Sequence, residues 1–315
     1  MTTPELIKVA IVGAGYTAKE HIRAFADVPG VQIAGIHSRT RARAEALAKE
    51  FAIPHVCDSI AELHERTQAQ LVVVTVVELS MNAVATACFD YPWAALLEKP
   101  PGYDLDDALA IQRAARRPVY VALNRRALAA TIEVVAQLAD QPGARFIKLQ
   151  DQQSQARALA GGQPPLVVKN WMFANSIHVI DYVRQLARGT LTAVEQIRPY
   201  DPAAPGVVLI RLVYDSGDHA LYEGIWHGPG PWAVTVTAGD RRWEMRPLEQ
   251  AVTQKLGAPP QPLEAQRWDA DFKPGFRRQA EWTIAALRGG DTGALATLDD
   301  GIESMRLVHA MFPNR

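Results

Sequence analysis

The first half of the chain alternates short apolar runs with amphipathic stretches. Nearly continuous apolar runs, typical of strands covered on both faces, occupy residues 7–12, 31–37, 70–77, 93–97 and 118–123. Helical periodicity predicts helices over residues 17–27, 41–51, 59–67, 79–89 and 105–116. This alternation predicts a doubly wound parallel sheet, in which ligands lie beyond the carboxyl ends of the strands.

In the second half, strand-like runs follow one another without helices between them. They cover residues 145–150, 191–198, 207–214, 220–226, 232–237 and 241–245, with turn signals at residues 215–218 and 239–240. This succession predicts an antiparallel sheet. Helices are predicted at residues 127–139, 276–288 and 299–311. Residues 156–165, with two glycines and two prolines, predict a mobile loop, and residues 247–274 look irregular.

The first predicted strand runs into a glycine turn at residues 13–15 and then into a helix. Gly13 and Gly15 have no Cβ, so the backbone can turn tightly and lie close to a pyrophosphate at the helix N-terminus. Ala18 holds the third position of the G-x-G-x-x-[GA] pattern, and Tyr16 and Thr17 lie between. The pattern predicts dinucleotide coenzyme binding. The alternative is an ordinary glycine turn of an α/β protein.

The end of the second strand indicates which coenzyme is bound. Dinucleotide folds place a carboxylate there to bind the ribose 2′-hydroxyl of NAD, but residues 35–41 contain none. Ser38 and Arg39 can instead hold a 2′-phosphate, with Arg41 as a second cation. We therefore predict NADP as the preferred coenzyme, with NAD as the second choice. The alternative is that the arginines only open an exposed helix.

Composition narrows the class of protein. The 315 residues carry a formal net charge of -1 without a basic stripe, so nothing favours nucleic acid or an anionic membrane as a partner. The start of the chain does not resemble a signal peptide, and no apolar run approaches the length of a membrane span. Cys57 and Cys88 form neither a metal-binding nor a redox spacing, which favours buried thiols in the cytoplasm and no metal site.

Two residues are candidates for chemistry. Lys99 follows the apolar run at residues 93–97, and so stands at the end of the sheet where ligands bind. His178 lies in an apolar helix, and histidine is suited to proton transfer because its ordinary pKa lies near neutrality. Its alternative role is that of a core histidine partnered by Asp181, three residues further on.

Several motifs together resemble the glucose-fructose oxidoreductase, inositol dehydrogenase and rhizopine-catabolism (Gfo/Idh/MocA) family. They are the glycine turn with Ala18, the Glu-Lys-Pro motif at residues 98–100, Asn-Arg-Arg at residues 124–126, the H-x-x-D helix at residues 176–181 and a closing helix at residues 298–306. The resemblance implies a Rossmann domain over residues 1–123. It also implies an α/β domain over residues 124–315, whose open, mainly antiparallel sheet forms homodimers or homotetramers.

The resemblance also implies the roles of single residues. In the family, the lysine of the Glu-Lys-Pro motif and the histidine flank the substrate beside the nicotinamide, which makes Lys99 and His178 the predicted catalytic residues. Pro100 resembles the family's cis-proline. One departure is that Ala174 stands where many members have an aspartate, and the neighbouring Asn175 cannot act as a base.

These observations predict an oxidoreductase that moves a hydride between nicotinamide and a hydroxyl or carbonyl carbon of a small molecule, a sugar, polyol or sugar derivative such as a sugar nucleotide. The alternatives are a reductase of another unsaturated small molecule and a non-catalytic coenzyme-binding regulator, which Ala174 favours. The predicted coenzyme-binding residues are Gly13, Gly15, Tyr16, Thr17, Ala18, Ser38, Arg39, Thr75, Glu98 and Lys99. The predicted substrate-binding residues are Lys99, Lys169, Trp171, Asn175 and His178.

Overall fold

A computed structural model describes residues 6–264 and 266–314, which divide into two compact units. The first unit contains the chain up to Ala127 together with Arg267–Ile302, and the second contains Leu128–Gln266 and the chain from Glu303 onwards. The family resemblance implied a boundary between the two domains after residue 123, and it did not assign residues 267–302 to the first unit. That segment packs there because Phe276, Ala280 and Ile284 bury their side chains in the core of the first sheet.

The first half of the chain has the expected order of elements. They are β1 (Ile7–Val12), α1 (Tyr16–Ala26), β2 (Val31–His37), α2 (Arg41–Phe51), β3 (Val56–Cys57), α3 (Ile60–Thr67), β4 (Leu71–Val74), α4 (Glu78–Cys88), β5 (Ala94–Leu97), α5 (Leu105–Ala114), β6 (Val119–Val121) and a 3-10 turn (Asn124–Ala127). The two-residue strand β3 was not predicted, since it is too short for a pattern, and β4 ends at Val74 rather than at residue 77.

The rest of the chain is richer in strands. Its elements are α6 (Ala129–Ala139), β7 (Arg145–Gln153), α7 (Gln155–Ala160), α8 (Pro165–Lys169), a π-helical turn (Met172–Ser176), α9 (Ile177–Leu186), β8 (Leu191–Arg198), β9 (Val207–Tyr214), β10 (His219–Trp226), β11 (Ala233–Ala238), β12 (Arg241–Met245), β13 (Ala251–Lys255), β14 (Gln261–Pro262), α10 (Arg267–Asp271), α11 (Phe276–Leu287), β15 (Ala296–Thr297) and α12 (Leu298–Met311).

The first unit contains the predicted doubly wound sheet. Its strand order is β15-β6-β5-β4-β1-β2-β3, and every neighbouring pair is parallel except β15 with β6. All four residues of β4 are buried, as expected of a central strand covered on both faces. Because β1 and β4 lie side by side, the glycine turn after β1 and Thr75 after β4 meet at the carboxyl edge of the sheet.

The second unit contains an eight-stranded sheet in the order β14-β13-β12-β11-β7-β10-β9-β8. It is antiparallel apart from the pair β7 and β10, so the prediction of an open, mainly antiparallel sheet is confirmed. Side chains along β7 alternate strictly, with Asp151 and Gln153 on the buried face and Phe146 on the other. The helix α9 packs against β7 and β11.

Two sequence predictions in this half were wrong. Residues 156–165 are not simply a loop, because α7 occupies the first half of the segment and α8 begins at Pro165. The helix α7 begins at a cap in which Ser154 Oγ accepts a hydrogen bond from the Arg157 amide. Residues 247–274 are not irregular, because β13 pairs with β12 and the short helix α10 follows. Both errors have the same cause, since elements of five or six residues leave too little periodicity to detect.

None of the helices within residues 6–264 and 266–314 combines the length and the apolar character required to cross a lipid bilayer.

Candidate active site

Gly13 is required by the fold of the first unit. Its φ angle is +113°, and a Cβ added there would lie 2.5 Å from the backbone oxygen and the Oγ1 of Thr75. Thr75 is fixed in turn by hydrogen bonds from its amide (2.8 Å) and its hydroxyl (3.2 Å) to the Val12 carbonyl. Thr75 thus positions the glycine turn through β4, whether or not it also contacts a ligand.

Gly15 has no comparable internal reason to be glycine. It is the N-cap of α1 with a φ angle of -90°, and no atom lies within 4 Å of the place of an added Cβ. The first amides of α1, at Tyr16, Thr17 and Ala18, have no capping side chain. This open space beside the helix N-terminus fits the pyrophosphate of a dinucleotide, whereas the buried Ala18 methyl packs inward.

The residues predicted to select NADP lie at the carboxyl end of β2. Ser38 is half-buried and its hydroxyl accepts a hydrogen bond from a backbone amide two residues on, while Arg39 is exposed. Arg41 is paired with Glu45, at 2.9 Å, and with Asp58. Arg41, the second cation predicted to bind a 2′-phosphate, is therefore already paired with two carboxylates. Ser38 and Arg39 remain as the groups that can bind a 2′-phosphate.

Lys99 follows β5, and the peptide bond between Lys99 and Pro100 is cis. Beside it, the imidazole Nε2 of the buried His21 lies 2.7 Å from Glu98 Oε1, and Glu98 Oε2 accepts a hydrogen bond from the Lys99 amide at 3.2 Å. Burial opposes ionisation of Glu98, but the hydrogen bond from His21 and the charges of His21 and Lys99 hold its pKa below the ordinary value. Glu98 thus anchors the backbone of Lys99 as an anion.

The ammonium of Lys99 is tuned by burial. Desolvation lowers its pKa, Arg125 and Lys273 act in the same direction, and Glu98 and Glu78 oppose them. A lysine with a lowered pKa can stabilise developing alkoxide charge and gives up its proton more readily than an ordinary lysine. Sequence reasoning missed His21, Glu78 and Lys273, because none of these residues belongs to a recognisable motif.

His178 lies in the second unit, in the second position of α9. It is 9% exposed, and its ring centroid is 6.1 Å from that of Trp232. Asp181, its candidate core partner, accepts a hydrogen bond from Ser304 Oγ at 2.6 Å. The helix begins directly after the π-helical turn, a widened turn that is frequent at functional sites.

Trp171 and Asn175, from opposite ends of the π-helical turn, are joined by a residue that sequence reasoning missed. Trp171 Nε1 and Asn175 Nδ2 each donate to Gln153 Oε1 at 2.8 Å. Gln153 Nε2 donates to Asp151 Oδ1, and Tyr222 donates its hydroxyl proton to Asp151 Oδ2 at 2.8 Å. We call these five residues the Gln153 network. The sequence feature that could have indicated the network is the pair of polar residues Asp151 and Gln153 at inward-facing positions of β7.

The Gln153 network contains the buried carboxyl group of Asp151, whose pKa is shifted in the opposite direction to that of Glu98. Burial raises the pKa of Asp151, although the hydrogen bonds from Tyr222 and Gln153 partly offset this rise. Burial and the neighbouring Asp151 raise the pKa of the Tyr222 hydroxyl well above its ordinary value, so that this group donates a hydrogen bond.

The remaining predicted substrate residue stands apart. Lys169 is exposed at the end of α8 and is not a member of the Gln153 network. Ala174 is buried within the π-helical turn, so a methyl group packs inside the fold where the family often has a carboxylate. Among the residues predicted to bind substrate, the structure joins Trp171 and Asn175 through Gln153.

Comparison with known proteins adds to this geometry. Residues 7–122 match the profile of the Gfo/Idh/MocA oxidoreductase family, described as having an NAD-binding Rossmann fold. A D-apiose dehydrogenase from Paraburkholderia graminis is 23% identical over 334 aligned residues, which cover 99% of this chain and 88% of the relative.

Solved structures share the whole architecture. An aldose-aldose oxidoreductase from Caulobacter crescentus superimposes with a TM-score of 0.79 at 19% identity, over 98% of this chain and 96% of the other. A UDP-N-acetylglucosamine 3-dehydrogenase from Acidithiobacillus ferrooxidans gives 0.78 at 15% identity, over 97% and 96%. At such identities the likeness concerns the fold. The family profile and the glycine turn that it covers show that residues 7–122 are similar to the NAD-binding Rossmann domain of the Gfo/Idh/MocA oxidoreductases.

Proposed function

We propose that the protein is an NADP-preferring dehydrogenase or reductase that acts on a hydroxyl or carbonyl carbon of a sugar, polyol or sugar derivative. The observation that carries the proposal is Lys99, a half-buried lysine of lowered pKa at the ligand-binding edge of a coenzyme-type sheet. The sugar class is supported by the similar D-apiose dehydrogenase and aldose-aldose oxidoreductase.

The proposed chemistry assigns one task to each catalytic residue. The coenzyme supplies the carbon that accepts or donates the hydride. In the oxidation direction, His178 takes the hydroxyl proton of the substrate, and Lys99 stabilises the negative charge that develops on the same oxygen. In the reduction direction the proton returns from His178 to the carbonyl oxygen.

The preference for NADP is proposed from the end of β2. No carboxylate stands within residues 35–41 to bind a ribose 2′-hydroxyl, and Ser38 and Arg39 offer a hydroxyl and a guanidinium to a 2′-phosphate. Replacing Arg39 by alanine should weaken NADPH binding far more than NADH binding. Equal losses for the two coenzymes would remove the preference from the proposal.

Trp171, Asn175 and Lys169 are the proposed substrate contacts of the second unit. An indole can stack on a sugar ring and an amide can hydrogen-bond its hydroxyl groups, and the Gln153 network gives both side chains a fixed orientation. The exposed Lys169 can meet a charged substituent, which keeps sugar nucleotides among the candidate substrates. The similarity to a UDP-N-acetylglucosamine 3-dehydrogenase supports that subclass.

The open face of the second sheet is the proposed surface for a homodimer or homotetramer. Phe146 and Val207, which are 51% and 38% exposed, lie on this face together with the half-buried Leu221. Light scattering of the wild type and of Phe146→Glu tests this, since a charge on the face should yield monomers. We also propose a cytoplasmic location, supported by Cys57 and Cys88, both buried and free.

The first experiment measures coenzyme affinity and turnover in the same samples. Nicotinamide fluorescence gives the dissociation constants of NADPH and NADH, and turnover is followed with aldoses, polyols, ketoses and sugar nucleotides. Lys99→Met should reduce kcat by at least roughly a thousandfold while leaving coenzyme affinity within about threefold, because an alkoxide-stabilising group acts in the transition state. Lys255→Met, which removes an exposed lysine of the second unit, is the matched control.

Unchanged turnover in Lys99→Met would contradict the assignment of that residue. Tight coenzyme binding by the wild type without turnover on any compound would instead favour the coenzyme-binding regulator, the reading that the buried methyl of Ala174 supports.

A further inference from the structure

A lysine near the end of the chain stands beside the start of α1. Lys273 lies between α10 and α11, and its Nζ is 5.0 Å from the ring centroid of Tyr16 and 4.6 Å from that of Phe276. Tyr16 is the first residue of α1, follows Gly15 directly, and is 68% exposed. The segment that returns to the first unit thus brings a cation to the side chain of Tyr16, the residue that follows the glycine turn, and this segment lies outside the range matched by the family profile.

Backbone contacts set the position of Lys273. The buried Asn124 donates a hydrogen bond from Nδ2 to the Pro274 carbonyl at 2.9 Å, and the Gly275 amide donates to Asp269 Oδ1 at 2.8 Å. Gly275 has a φ angle of +81°, and a Cβ there would collide with the Asn124 carbonyl oxygen. The turn is therefore closely fitted to the chain after β6, which restricts where the lysine side chain can reach.

The charge of Lys273 is balanced by no direct ion pair among the described residues. No carboxylate of residues 6–264 and 266–314 lies within 4.0 Å of its Nζ. Burial lowers its pKa, Glu98 and Glu20 oppose this, and Arg125 adds to it. The Glu98 carboxylate already accepts a hydrogen bond from His21. Two aromatic faces stabilise the ammonium, but its three donors are left for another acceptor.

We propose that Lys273 is a further coenzyme ligand, whose ammonium pairs with the pyrophosphate of the dinucleotide bound at the N-terminus of α1. The amides and the dipole at that end of the helix favour an anion, and the lysine adds a full positive charge at the same place. The proposal rests on coenzyme binding but not on the substrate or on NADP over NAD, because both coenzymes carry the same pyrophosphate.

Binding measurements on three variants test the proposal. Lys273→Met keeps the aliphatic length that packs on Tyr16 and Phe276 but removes the charge, and Lys273→Arg keeps the charge. Lys19→Met is the matched control, because Lys19 also lies near a ring, 6.0 Å from the centroid of Phe51, and its charge is paired with Glu50 at 2.6 Å. Dissociation constants are measured for NADPH and for ADP-ribose, which keeps the pyrophosphate and lacks the nicotinamide.

Lys273→Met should raise both dissociation constants by roughly 10- to 100-fold, the range expected for the loss of a hydrogen bond between charged groups. Lys273→Arg and Lys19→Met should stay within about threefold of the wild type. A loss for NADPH without a loss for ADP-ribose would place the contact at the nicotinamide end and overturn the proposal. Unchanged affinity for both ligands in Lys273→Met would also overturn it.

A footprint on the wild-type protein gives a result that does not depend on the folding of a variant. Acetic anhydride labels accessible amines, and mass spectrometry compares labelling at Lys273 and Lys19 with and without ADP-ribose. Protection confined to Lys273 is the expected outcome, and equal labelling with and without the ligand would contradict it. If the wild type binds neither NADPH nor ADP-ribose, coenzyme binding itself fails, which is a different outcome from a failure of Lys273 alone.

Discussion

The glycine turn of the first unit and the Gln153 network of the second unit are built in opposite ways. The glycine turn depends on backbone geometry within a few consecutive residues, supported by Thr75 and by the His37 carbonyl, which accepts a hydrogen bond from the Gly13 amide at 2.8 Å. The Gln153 network joins side chains of β7, β10 and the π-helical turn, which are far apart in the chain. The first arrangement offers amides to an anion, whereas the second orients an indole and an amide as hydrogen-bonding groups.

The two glycines of the turn should respond differently to the same methyl group. Gly13→Ala adds a Cβ at a φ angle of +113° and against Thr75, so the free energy of unfolding should fall by about 3 kcal/mol. Gly15→Ala adds a Cβ in open space, so stability should change by less than about 0.5 kcal/mol. Gly15→Ala should instead weaken NADPH binding by about tenfold or more, because the added methyl group would occupy the place where the pyrophosphate approaches the backbone.

Urea unfolding and coenzyme titration of both variants separate these effects. A Gly15→Ala protein that binds NADPH as the wild type does would mean that the open space beside α1 is not the pyrophosphate site.

The second region should be sensitive to loss of its central acceptor. Gln153→Leu leaves the indole of Trp171 and the amide of Asn175 without that acceptor and removes a donor to the buried Asp151. Unfolding free energy should fall by about 2 kcal/mol, the cost of leaving buried polar groups unsatisfied. If the network orients substrate contacts, KM should rise severalfold while the affinity for NADPH, bound in the first unit, stays unchanged.

Gln153→Glu is the companion variant, because it keeps an oxygen that can accept from Trp171 while it places a second carboxyl group beside Asp151. Steady-state kinetics and coenzyme titration are compared for both variants. A loss of NADPH affinity equal to the rise in KM would contradict a role confined to the substrate.

The same difference in construction explains how much could be predicted from sequence. The glycine turn, Lys99 at the end of β5 and the doubly wound sheet follow from local patterns, since strand, turn and helix are consecutive. Trp171 and Asn175 were selected singly, but their common partner was not, because Gln153 meets them only after β7 takes its place in the sheet. Lys273 was missed for the same reason: its contact with Tyr16 requires a segment that returns to the first unit.

The carboxyl groups of Glu98 and Asp151 should make the stability of the two regions depend on pH in opposite ways. The folded protein lowers the pKa of Glu98, so this group contributes stability above its unfolded pKa, and the contribution is lost as pH falls through the folded value. The folded protein raises the pKa of Asp151, so its contribution is present below the unfolded pKa and is lost as pH rises through the folded value.

Substitution by the neutral amide should therefore have opposite pH dependences in the two units. Glu98→Gln should be more destabilising at pH 7 than at pH 4, whereas Asp151→Asn should become less destabilising over the same rise in pH, because the amide resembles the protonated acid that burial favours. Urea unfolding of both variants and the wild type at several pH values measures the two slopes. If the destabilisation caused by the two substitutions changed with pH in the same direction, the pKa values of Glu98 and Asp151 would not be shifted in opposite directions. The two regions would then differ in geometry but not in the ionisation of their carboxyl groups.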